Sequence, residues 1–90
     1  MRTTQLDPAE ARIFVAKLNE DCRDMAQAMA AIRSDWSALH SHGWDDEKAN
    51  KFDRTLDDSI KLMVSFLNEA ESYADQLSRM AEHIQAFQDR

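Results

Sequence analysis

The chain has 90 residues but only one glycine, Gly43, and one proline, Pro8. These two residues are the strongest breakers of regular structure, so a chain nearly free of them has few places to turn. Gly43 stands at mid-chain inside His40-Ser41-His42-Gly43-Trp44-Asp45-Asp46, a run of turn and capping residues. Pro8 stands near the start, where a helix tolerates it because the missing N–H has no intrahelical partner there. The expectation is an all-α helix-turn-helix hairpin filling residues 1–90 as one domain. Helix 1 is expected at about 8–39, the turn at about 40–45 and helix 2 at about 46–88.

Local chemistry supports both helix starts. Asp7 can accept from the free amides of the first turn, with Glu10 placed to complete a capping box. Asp45 or Asp46 can do the same for helix 2, with Trp44 packing on Ala49 as a hydrophobic staple. In helix 1, Ala11, Val15, Leu18, Cys22, Met25, Met29, Ile32, Trp36 and Leu39 follow alternating steps of four and three. In helix 2, Ala49, Phe52, Leu56, Ser59, Met63, Phe66, Ala70, Tyr73, Leu77, Met80, Ile84 and Phe87 do likewise, with Ser59 the one polar member. A mean spacing of 3.5 predicts two apolar seams that wind around each other left-handedly.

The helices are unequal, roughly 48 Å and 64 Å at 1.5 Å per residue. A turn centred near His42 sets Pro8 level with Leu77, and Leu77, Met80, Ile84 and Phe87 then project beyond helix 1. A second row, Ile60, Leu67, Ala74 and Ala81, runs beside the seam of helix 2 at seven-residue spacing. Ala26, Ala28, Ala30 and Ala31 give helix 1 a smooth small-residue surface, with Ile13 and Phe14 at one end. Two helices alone bury a poor core. Surplus apolar surface marks an interaction site. The expectation is dimerisation, with itself or with a homologous helical hairpin, into a four-helix bundle.

Composition excludes several function classes. Acidic residues outnumber basic ones 17 to 11, for a net charge of −6, which disfavours nucleic acid and anionic membranes. No apolar run reaches the roughly 18 residues of a membrane span, so no membrane insertion is expected. The first residues lack the apolar core of a signal peptide. One cysteine, Cys22, makes no internal disulfide. No Gly-rich phosphate loop and no nucleophile–base arrangement occurs, so the chain reads as a non-enzyme without cofactors. His40, His42, Asp45 and Asp46 cluster in the turn, but the carboxylates serve equally as helix caps and no metal is assigned. Asp53, Asp57, Asp58, Glu69 and Glu71 read as a solvated face with Arg54 and Lys61 within a turn of them. Met25, Met29 and Met63 read as core packing rather than a soft-metal site.

A helix of about 30 residues, a tryptophan turn, a second amphipathic helix and an aromatic eight residues beyond the tryptophan (Phe52 after Trp44) resemble the Trp-x-Gly superfamily. These are small helical hairpins exported by type VII secretion systems. The motif here reads Trp44-Asp45-Asp46, with aspartate in the glycine position and Gly43 ahead of the tryptophan. Members often end in a signal of Tyr, three residues, then an acid. Tyr73 is followed four residues on by Leu77 instead, so export would ride on a partner's signal, or the chain would have another job. The resemblance implies an antiparallel four-helix bundle acting as a secreted substrate or as co-exported partner of a larger effector. Export would then occur without a cleaved leader. The alternative is a cytoplasmic helical adaptor or chaperone. On this reading the interaction residues are Gly43, Trp44, Asp46, Phe52, Ile60, Leu67, Leu77, Met80, Ile84 and Phe87.

Overall fold

The computed structural model describes residues 6–89, which form two helices packed against each other: α1 (Pro8–Ser41) and α2 (Glu47–Gln88). Asp7 caps α1 by accepting from the Ala9 amide at 3.0 Å and the Glu10 amide at 3.5 Å, and Pro8 occupies the first helical position. At the other end the His42 and Gly43 amides fold back onto the carbonyls of Leu39 and His40, both at 3.2 Å. Gly43 takes φ +105°, a conformation that costs a side-chain-bearing residue a Cβ–carbonyl clash. Asp46, rather than Asp45, caps α2, its Oδ1 accepting from the Ala49 amide at 2.8 Å.

The hairpin is a rod of 66 × 23 × 17 Å with a radius of gyration of 20.0 Å. A compact domain of this length would have about 12 Å. Its core is correspondingly thin. The buried residues are Pro8, Ala11, Met29 and Trp36 of α1 and Ala49, Ala70, Ala74 and Ala81 of α2. Met25 and Met63 are half-buried beside Met29. Among the described residues no large side chain is completely enclosed.

The identity of the buried residues corrects the expected facing of α2. The row expected to be spare (Ile60, Leu67, Ala74, Ala81) joins the contact: Ala74 and Ala81 are buried, and Ile60 and Leu67 are half-buried. Half of the expected seam is in contact as expected, with Ala49 and Ala70 buried and Leu56, Met63, Leu77 and Ile84 half-buried, whereas its other half (Phe52, Ser59, Phe66, Tyr73, Met80, Phe87) is exposed. Alanines let two helix backbones approach closely, whereas phenylalanine and tyrosine in the same place would hold them apart. The hairpin is therefore rotated about the α2 axis toward its small residues, and the aromatic row is left outside.

The expected overhang is corrected as well. Phe14 and Leu18 of α1 line one groove with Leu77 and Met80, and the Arg12 guanidinium donates to the Gln85 side chain at 3.3 Å. Ile84 is half-buried, and only Phe87 stands clear, 72% exposed. Two causes shift the register. α1 runs on to Ser41 and α2 starts at Glu47, so the turn centres nearer Trp44 than His42. Long helical side chains also lean toward their own N-terminus, so Arg12 reaches outward to meet a residue far along α2.

Candidate functional site

At the turn, three aromatic rings gather on Trp36. His40 stacks on it with centroids 5.5 Å apart, Trp44 meets it edge-on at 5.6 Å, and Phe52 lies tilted at 4.7 Å. These are the spacings at which aromatic pairs attract beyond simple burial. Trp36 is 7% exposed, and its indole N–H donates to Asp53 Oδ1 at 2.7 Å. Trp44 is 40% exposed; its indole N–H donates to Asp46 Oδ2 at 3.2 Å, and its carbonyl accepts from His40 Nδ1 at 3.0 Å. Asp46 thus holds an amide and an indole at once. The Ala49 amide, and after it the Trp44 indole, keep its carboxyl below the usual carboxylate value.

Trp36 was legible only as a seam position. The spacing of Trp36, His40 and Trp44, four residues apart each time, was the signal that could have marked it as the hub. Residues one turn apart on a helix stack over each other, as Trp36 and His40 do, and Trp44 follows from the turn.

The long sides of the hairpin differ in chemistry. One side carries polar contacts between the helices. Arg33 pairs with Asp57 at 2.8 Å, and Lys61 joins the same carboxylate at 3.1 Å. Hydrogen bonds from Lys61 and then Arg33 lower the Asp57 pKa. Further along, Asn19, Cys22, Arg23, Ala26, Leu67, Asn68, Glu71 and Asp75 line a polar groove. Arg12 and Gln85 continue that side toward the open end.

The opposite side carries two mainly apolar grooves. Near the turn, Ile32, Trp36, Leu39 and Phe52 line a shallow groove with Asp35 at its edge. Toward the open end, Phe14, Leu18, Phe66, Ala70, Tyr73, Leu77 and Met80, with Gln76 among them, line a groove of about 510 Å³. Phe14, Ile32, Leu39, Phe52, Phe66, Tyr73 and Met80 each leave about half of the side chain in water. With large apolar side chains offering ~150–250 Å² each, that is roughly 700 Å² of exposed apolar area on one face. The largest patch on an ordinary monomer is ~300–600 Å².

The expected interaction residues divide between these surfaces. Phe52, Leu77 and Met80 lie on the apolar face, and Ile84 and Phe87 lie at its open end. Leu67 borders the polar groove, and Ile60 is half-buried on the same contact row. Gly43, Trp44 and Asp46 form the tip. Ile32, Leu39, Phe66 and Tyr73, expected in the seam, and Phe14, expected at one end of the spare surface of helix 1, join the apolar face.

Among the described residues no three His, Cys, Asp or Glu side chains converge as metal ligands, and no helix is long and apolar enough to cross a membrane. Comparison of the chain with protein-family models, curated proteins and solved structures finds no match.

Proposed function

We propose that the chain is a non-enzymatic binding module whose apolar face docks against another helical hairpin, completing a four-helix bundle. The observation that carries this reading is the pair of apolar grooves along one side of the hairpin. The surface of the whole rod is 7422 Å², where a folded monomer of 10.4 kDa exposes about 5,400 Å². A face of roughly 700 Å² is close to the ~800 Å² that each partner contributes to a stable protein–protein interface. Burying it at about 25 cal/mol per Å² contributes on the order of 17 kcal/mol before the entropic cost of association.

The tryptophan turn and its resemblance to type VII substrates give the biological setting of the proposal: a secreted substrate, or the co-exported partner of a larger effector. Trp44 and Asp46 at the tip are then the surface offered to the secretion machinery or the effector. The test is export from a host carrying such a system. The chain should appear in the culture fluid of the intact strain and stay inside a strain from which the system has been deleted. Phe66→Asp and Trp44→Ala should each retain the chain inside the cell while keeping its helical circular dichroism.

A second reading rests on the contacts of Trp44 itself. Its ring leans on Trp36 and its indole N–H is tied to Asp46, the contacts of a residue that stabilises a turn. On that reading the chain is an intracellular helical adaptor or chaperone. Equal retention of the wild-type chain inside both strains would select it.

A further inference from the structure

The tryptophan turn is tied back to α1 by a side chain whose charge ordinarily changes between about pH 5 and 8, His40. Its ring is half-buried and is held at a face and at an edge. The face stacks on Trp36, with centroids 5.5 Å apart and planes inclined at 25°. The edge places Nδ1 3.0 Å from the Trp44 carbonyl. The other two histidines, His42 and His83, are exposed.

Protonation acts on both contacts in one direction. A carbonyl has no proton to give, so the bond to Trp44 exists only while Nδ1 carries hydrogen. Neutral imidazole holds one proton on either nitrogen and makes this bond in one of its two tautomers. Imidazolium holds a proton on both and makes it always, as a charge-assisted donor. The stack is strengthened too, because a cation within about 6 Å of an indole face is drawn to it. The helix end adds to this: His40 lies in the last turn of α1, where unpaired carbonyls favour positive charge.

The charges around the tip are mainly acidic. On α1 they are Asp35 and Arg33, the latter paired with Asp57. The turn supplies Asp45 and Asp46, with His42 beside them. The first two turns of α2 supply Glu47 and Asp53 against Lys48, Lys51 and Arg54. Two of the carboxylates are fixed on the rings that surround His40: Asp53 accepts from the Trp36 indole, and Asp46 from the Trp44 indole and the Ala49 amide.

We propose that His40 is a pH-dependent latch on the tryptophan turn. Protonated, it fastens the Trp44 backbone to the ring of Trp36; deprotonated, it holds that backbone more weakly. Its contribution is complete where the ring is charged and is lost as pH rises through the imidazole range. The latch acts on the tip alone and is independent of what the apolar grooves bind.

Urea denaturation of the full chain at about pH 5 and about pH 8 tests it. Wild type should lose about fivefold in its folding equilibrium constant between the two, the size of one cation–π contact or one helix-end charge. His40→Gln, whose amide still donates a hydrogen bond but does not titrate, should lose none. The double variant His42→Gln, His83→Gln should keep the wild-type loss. A second readout is local to the latch. In Trp44→Phe the one remaining indole is Trp36, and an imidazolium stacked on it quenches its emission. That emission should rise from the acid to the alkaline condition, and should stay level once His40→Gln is added. Wild-type stability that is level across the range, or a loss that survives His40→Gln, overturns the proposal. Trp36 emission that ignores pH, or that still follows it after His40→Gln, overturns it as well.

Discussion

Replacing each tryptophan in turn separates the part of the turn that holds the fold from the part that is presented outward. Trp36 is 7% exposed. With an upper figure of ~250 Å² for the side chain, about 230 Å² leaves water, worth about 6 kcal/mol as a ceiling. The denatured chain already buries part of that area. The site also opens on the shallow groove of Ile32, Leu39 and Phe52, so truncation leaves no sealed cavity. Against these reductions stands the loss of the 2.7 Å bond to the Asp53 carboxylate. Trp36→Ala should therefore cost about 4 kcal/mol, within the range of buried Trp truncations. Trp44 is 40% exposed, and its contacts are largely within its own turn. Trp44→Ala should cost about two-thirds as much by the same area argument. Urea denaturation followed by circular dichroism measures both. Each variant also keeps a single tryptophan, whose emission should lie at shorter wavelength when that residue is Trp36. Equal costs, or a larger one for Trp44→Ala, would refute the placement of Trp36 at the centre of the cluster.

Three more outcomes follow from the contacts. Ala74→Leu should destabilise the hairpin by ~1–3 kcal/mol through overpacking, while Phe66→Ala, which removes a half-exposed ring, should cost the isolated chain less; thermal melts of the two variants decide whether the alanine row is the contact row. Gly43→Ala should cost about 1–2 kcal/mol from its positive φ alone, because nothing lies within 4 Å of the added methyl, and a denaturant titration reads it. Asp46 and Asp57 both have pKa values lowered from 3.8, so their contribution is complete above that pH and is lost as pH falls through the lowered folded values. Ellipticity should therefore fall on acidification below pH 3.8, and Asp46→Asn with Asp57→Asn should blunt that fall.

The helix boundaries were legible because local chemistry sets them. Pro8, Asp7, Gly43 and Asp46 act on their own turn of backbone, and no distant contact overrides them. The facing of α2 was half legible: the seam row Ala49, Leu56, Met63, Ala70, Leu77 and Ile84 is in contact, but two rows compete for the place beside it. Phe52–Phe66–Tyr73–Met80 and Ile60–Leu67–Ala74–Ala81 share the seven-residue spacing, and summed apolarity favours the aromatic row. The structure favours the row that lets the helices come close, a steric property that hydrophobic periodicity does not encode. The register of the open end also escaped sequence reasoning. It depends on where the turn centres and on the lean of side chains such as Arg12, and a shift of one helical turn at the tip is carried along the whole rod.

The unequal distribution of large side chains along the rod also sets an order of folding. Joining Trp36 to Asp53 closes a loop of 17 residues, whereas joining Arg12 to Gln85 closes one of 73. The longer closure costs about 1.3 kcal/mol more in chain entropy, and at that end the buried residues waiting to offset it are small: Pro8, Ala11 and Ala81. The aromatic end closes first, and the helices then zip away from it. Opening in the native state runs the same path in reverse, so amide hydrogens near Ala11 and Ala81 exchange with solvent sooner than those near Trp36.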